Sequence, residues 1–113
     1  MRFLKCWNRE IVLVLIVALS LTSVSCSRLK GATYHKKGSR AHDRGDFDQA
    51  ITMYQKSIAA SPTNPEVEYD LGVAYLDNQN YTKADQQIQK LKKMDQGAMV
   101  SALKELSSKG KNR

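Results

Sequence analysis

From residue 47 onward the apolar positions recur at steps of three and four. Phe47, Ala50, Ile51, Tyr54 and Ile58 form one series, and Val67, Leu71 and Tyr75 a second. Tyr81, Ala84, Ile88 and Leu91 form a third, and Met99, Ala102, Leu103 and Leu106 a fourth. Such steps keep side chains on one face of an α-helix, and no stretch alternates with period two for long enough to make a strand. The breaks fall between the series. Gly45-Asp46 ends one helix and opens the next, with Asp46 and Gln49 spaced as a capping box. Ser61-Pro62-Thr63-Asn64-Pro65 supplies Asn64 as a cap and Pro65 as a first helical residue. Turns at 77–80 and 95–97 complete the punctuation. The pattern predicts an all-α chain with five helices, at about 32–44, 47–60, 65–77, 81–94 and 97–108. The tail SSKGKNR (107–113), with its basic end at 109–113, is expected to fray.

The first 26 residues follow a different rule. Residues 11–25 (IVLVLIVALSLTSVS) hold eleven Ala, Val, Ile or Leu, and no charge appears between Glu10 and Arg28. Arg2, Lys5 and Arg9 precede this run. A basic start, an apolar centre and a small-residue end make a secretory signal peptide over 1–25. The charge-free span of 17 residues, 11–27, also reaches the lower limit for a membrane-spanning helix, so an uncleaved anchor is the alternative. Ser23-Val24-Ser25-Cys26 resembles the lipobox of bacterial lipoproteins, although Ser23 stands where that motif usually has Leu. The resemblance implies lipid attachment at Cys26, and Ser27 after it resembles an outer-membrane signal. Arg28, Lys30, Lys36, Lys37 and Arg40 oppose export, which keeps a cytoplasm-facing anchor in view. Cys6 would leave with the signal peptide, so no disulfide is expected.

The helical part repeats. Sliding residues 31–64 onto 65–98 aligns Gly38 with Gly72, Asp43 with Asp77, Ala50 with Ala84, Gln55 with Gln89 and Lys56 with Lys90. A helix–turn–helix unit of 34 residues is the period of the tetratricopeptide repeat, and the chain resembles that family over residues 31 to about 98. Gly45, Phe47, Ala50, Tyr54 and Pro62 match the family's turn and second helix. Leu71, Gly72, Tyr75, Tyr81 and Ala84 match its first helix and turn. The resemblance implies a short solenoid: a basic linker at 26–31, two repeats and a cap helix within 32–108, preceded by the signal peptide or membrane anchor. Gly38, Ala50, Gly72 and Ala84 are expected to admit close helix packing, and Ser57 to admit the next repeat. Lys37 and Ala41 stand where the family prefers Leu and Tyr, so the first helix should hold weakly. Two repeats and a cap should be marginally stable, self-associate or be stabilised by a partner, because each unit buries its apolar face on its neighbours.

Composition narrows the function. There is no phosphate-binding glycine loop, no nucleophile–base motif and no clustered metal ligands, so neither enzyme chemistry nor a metal or other cofactor is expected. His35 and His42 are seven residues apart, about 10.5 Å along a helix, and read as solvated side chains rather than ligands. The family resemblance implies a concave groove built from Ala32, His35, Ser39, His42 and Asp43 in the first repeat. The second repeat adds Glu66, Tyr69, Val73, Leu76 and Asp77. Tyr69, Val73 and Leu76 either form an apolar stripe for a partner peptide or helix, or lie buried against the cap helix. The net charge of +7 divides unevenly: residues 26–40 carry +5, residues 41–85 carry −5 and residues 86–113 carry +5. An acidic core flanked by basic ends argues against a nucleic-acid module. The expected function is a protein-binding scaffold on the membrane, lipid-anchored and periplasm-facing. Small lipoproteins with such repeats serve envelope assembly or secretion.

Overall fold

In a computed structural model of the chain, residues 9–113 are described, apart from the side chains of residues 19–25. Residues 1–8 of the leader, Cys6 among them, and the side chains of Ser23, Val24 and Ser25 thus lie outside the described residues. Five helices follow one another: α1 (Arg9–Asp43), α2 (Phe47–Ala60), α3 (Pro65–Asp77), α4 (Tyr81–Lys93) and α5 (Gly97–Lys111). Every regular element among the described residues is a helix.

The first boundary departs from expectation. A start near residue 32 is replaced by a start at Arg9, and α1 runs through Cys26 without a break. Between Glu10 and Gly31 nothing stops a helix: there is no proline and no capping turn. Gly31 itself is held in place by packing. A methyl group there would stand 3.1 Å from Cβ of Ser61 in the turn after α2. Ile11 to Val17 are 45–67% exposed along the outer part of α1. Among the described residues no helix is long and apolar enough to cross a membrane.

The three tight turns between α1–α2, α3–α4 and α4–α5 share one hydrogen-bond pattern. Asp46 N–H donates to Ala41 C=O, Asn80 N–H to Tyr75 C=O and Gln96 N–H to Leu91 C=O. Gly45, Gln79 and Asp95 sit just before those donors with φ of 77°, 58° and 58°. This is the left-handed helix stop, which satisfies carbonyls of the last turn. Asp46 then caps α2 through the Gln49 N–H, Asn64 caps α3 through Glu66 N–H, and Asn80 caps α4 through Lys83 N–H. The capping box is only half made, because Gln49 Oε1 accepts from Arg44 instead of reaching back. Gln79 occupies a conformation that glycine takes at little cost and other residues do not. Gln79→Gly is expected to raise unfolding stability by about 0.5–1 kcal/mol, read as a higher denaturant midpoint with an unchanged slope.

The core has two parts joined through Leu76. Ala41, Ala50, Tyr54, Val67, Leu71, Ala74, Tyr75 and Ala84 close the first, and Ile88, Leu91, Val100 and Leu103 the second. The expected small positions carry the packing. A methyl group on Gly38 would lie 2.7 Å from Cδ1 and Cε1 of Tyr54, so α1 rests directly on that ring. Gly72 works differently from expectation: its closest neighbour is Leu103 of α5, and Gln87 of its own repeat comes second. Ser57 is buried, and its hydroxyl donates to Gly31 C=O of α1 at 2.8 Å. It therefore ties α2 back to the first helix, where the spacing had suggested a role toward the second repeat.

Two expectations about the C-terminus are revised. The buried face of α5 is Val100, Leu103 and Ser107, while Leu106 is 41% exposed and Met99 only packs on the edge. Leu103 of the expected series is buried against Gly72, and with it Val100 and Ser107 turn inward while Leu106 turns outward. The tail does not fray from residue 107: Ser107 is buried and α5 continues to Lys111. Tyr81 Oη donates to Gly110 C=O at 3.1 Å, and Lys111 Nζ lies 3.3 Å from Asp85.

Candidate interaction groove

The residues expected to face the groove come from α1 and α3. His35 Nε2 lies 2.6 Å from Asp70 Oδ2, and His42 Nε2 lies 2.6 Å from Asp77 Oδ2. Each carboxylate accepts a hydrogen bond from the imidazole it faces. The seven-residue spacing of the histidines on α1 is matched by the same spacing of aspartates on α3, so two parallel cross-links join the helices. The reading of His35 and His42 as solvated side chains is thereby corrected: both are half-buried and paired. Each ring also meets an aromatic of α2. His35 lies 5.8 Å from the Tyr54 ring, and His42 lies edge-on to Phe47 at 5.5 Å.

Below His35, Ser39 Oγ donates to the His35 carbonyl at 3.2 Å. Ser39 also hydrogen-bonds with the Tyr54 side chain. Burial pushes the Tyr54 phenol above the ordinary tyrosine range; the Ser39 bond opposes that shift and the Asp70 and Asp43 charges add to it. Tyr54 thus stays protonated and serves as a fixed post under α1. Asp43, Glu66 and Ala32 are exposed at the margins. Cys26 is exposed as well, on the outer side of α1.

Tyr69, Val73 and Leu76 are half-buried and pack against the cluster of Ile88, Leu91, Val100 and Leu103. The cap helix covers much of the stripe, and truncating Tyr69 or Leu76 would also remove core contacts. The accessible end of the stripe opens into a cleft of ≈ 320 Å³ between α3 and α5. Val73, Leu76 and Leu106 give it apolar walls, and Asp77, Lys109 and Arg113 stand among its lining residues. Lys109 is shared with Glu105 at 2.7 Å. That neighbour and the hydrogen bond it donates hold the exposed Glu105 carboxyl below the usual carboxylate range.

Sequence reasoning missed Asp70, Leu106, Lys109 and Arg113. Asp70 had a signal: both histidine–aspartate pairs are separated by 35 residues, one more than the repeat period. Leu106 and Lys109 of α5 and Arg113 after it had none, because their position depends on how the cap docks. No group of three or more metal-ligating side chains is found among the described residues. What this arrangement offers is a shaped surface with apolar walls and fixed polar groups, the means of binding a segment of another protein.

Among curated proteins and among solved structures, no chain matches this one. The sequence profile described as tetratricopeptide repeat matches residues 41–106, more than half of the chain. That span opens in the last turn of α1, contains α2, α3 and α4 whole, and ends within α5, taking in the three left-handed turns at Gly45, Gln79 and Asp95 and the buried Ala50 and Ala84. Repeats of this kind are protein-interaction modules and typically not catalytic. The chain belongs to the tetratricopeptide repeat family.

Proposed function

We propose that the protein is a small scaffold held at a bacterial membrane by its N-terminal segment, with a partner protein bound along the face formed by α1, α3 and α5. The observation that carries this reading is the cleft at the end of that face. Exposed Leu106 lies there beside the half-buried Val73 and Leu76, whose accessible edges line the cleft. Clustered apolar groups with a charged margin mark an interaction site. In this reading Cys26 receives the lipid and the repeats face the periplasm, where they aid the assembly of an envelope or secretion complex. Two or more acyl chains would make such an anchor stable.

A photo-crosslinking residue placed at Leu106 or at Ser39 in living cells tests the groove. Both positions should yield one and the same adduct, and Thr52, exposed on α2, should yield none. Adducts of equal strength from all three positions would remove the groove reading.

A second reading is favoured by one feature. Five cations and no acid follow the apolar run between residues 26 and 40, the bias seen on cytoplasmic flanks. An uncleaved anchor would then leave the repeats in the cytoplasm. Cys26→Ser separates the two. Release of the protein from the membrane fraction is expected for lipid attachment, and full retention would support the uncleaved helix.

A further inference from the structure

Helix α1 has a third face, which neither the core nor the groove uses. Gly31, Gly38 and Ala41 turn toward α2, and His35 and His42 toward α3. The remaining exposed side carries Cys26, Leu29, Lys30, Thr33, Lys37 and Arg40, at steps of three, four and one that keep them together on one side of a helix, and Arg44 follows in the turn just after it. Lys36 borders the same strip. Two shallow furrows run along it and meet at Lys37. One, of ≈ 240 Å³, is lined by Leu29, Lys30, Thr33, Tyr34 and Lys37. The other, of ≈ 210 Å³, is lined by Lys37, Arg40, Arg44 and, from α2, Gln49 and Met53. None of Lys30, Lys36, Lys37 and Arg40 is ion-paired with a described residue, and Arg44 meets only the neutral Gln49 amide. Leu29 is 72% exposed in the middle of this charge.

We infer that this face is a docking surface for an anionic phospholipid bilayer, and that it turns the groove away from the membrane. The inference rests on the membrane-anchored reading above and adds an orientation to it. Three features point to lipid as the occupant. The strip is continuous along one helix with the exposed apolar residues Ile11 to Val17. Its charge is of one sign, which suits a plane of phosphate groups. Cys26 and Leu29 lie on the same side as the cations, so an acyl chain or an apolar side chain enters the bilayer where the cations meet its headgroups. From Cys26 to Arg44 the strip is about 27 Å long at 1.5 Å per residue, enough for α1 to lie along the surface. Each cation near an anionic leaflet contributes about fivefold in partitioning, so removing three weakens docking by about 100-fold.

The full chain in vesicles tests this, with Cys6 and Cys26 changed to Ser and an environment-sensitive fluorophore on Thr33→Cys or on Leu106→Cys. Flotation with phosphatidylcholine vesicles and with vesicles also containing phosphatidylglycerol reports anchoring through the uncleaved apolar helix by itself. The label at residue 33 should shift to the blue only with the anionic vesicles, and raised salt should reverse the shift. The combined Lys37→Gln, Arg40→Gln and Arg44→Gln chain should lose the shift yet keep its helical circular dichroism and still float. The label at residue 106 should not respond. Equal responses at residue 33 in both lipids, or a response at residue 106 instead, would overturn the orientation while leaving anchoring intact. A shift produced by duplex DNA and not by anionic vesicles would overturn it in favour of a polyanion site. A chain that floats with neither vesicle refutes an anchor through the uncleaved helix and the docking surface together, whereas lipid attachment is judged by the Cys26→Ser release experiment above.

Discussion

A chain that stops at Gln96 is expected to lose its cooperative thermal transition. Helix α5 contributes Val100 and Leu103 to the core and covers Ile88 and Leu91, with Tyr69 and Val73 packed alongside. Burying such a side chain is worth roughly 1.5–3 kcal/mol, so half a dozen of them approach the 5–15 kcal/mol stability of a whole domain. The truncation also takes away the Tyr81–Gly110 hydrogen bond and the contact of Lys111 with Asp85. Circular dichroism during heating should show a broad, shallow loss of helix, accompanied by binding of a hydrophobic dye. A sharp transition at the full-length midpoint would mean that the two repeats hold without their cap.

The second large effect is expected at Gly38. Replacing it by valine should destabilise the domain by about 3 kcal/mol, the upper end for overpacking a tight site. A Cβ there would already lie 2.7 Å from two atoms of the Tyr54 ring. That ring is only 1% exposed and cannot step aside. Gly72 makes an instructive contrast. Its Cβ would lie 2.5 Å from Leu103, but the atom it meets is the end of a flexible side chain. Gly38→Val combined with Tyr54→Leu should cost less than the two changes summed, as expected for residues in contact. Additive denaturation free energies would show that Gly38 is small for another reason.

Much of this architecture was legible along the chain. The four apolar series from Phe47 to Leu106 located four helices, and the caps at Asp46 and Asn64 fixed the starts of α2 and α3. The 34-residue offset marks Gly38, Ala50, Gly72 and Ala84 as packing positions. Those features are local or periodic, and the physics that produces them acts over a few residues. The start of α1 was misread because a change in composition was taken for the start of a helix, while only a proline or a capping turn would have broken it. At the other end, the series on α5 correctly contains Leu103, but nothing local shows that Val100 and Ser107 share its buried face and that Leu106 does not.

The groove shows the same division. Its candidate residues on α1 and α3 followed from the repeat, yet the sequence left His35 and His42 as solvated side chains. Their pairing with Asp70 and Asp77 appears only when two helices 35 residues apart lie side by side, since a hydrogen bond of 2.6 Å depends on the rotation of both. The cleft at Leu106 likewise exists because Leu103 sits in the recess of Gly72 and thereby sets the roll of α5. So the sequence by itself determined an all-helical repeat, its period, most of its caps and the small residues at its crossings, because backbone hydrogen bonding and side-chain size are written locally. Which faces meet, which histidines are paired and where the open cleft lies were decided only by the tertiary packing, because each depends on the mutual orientation of helices that no local pattern encodes.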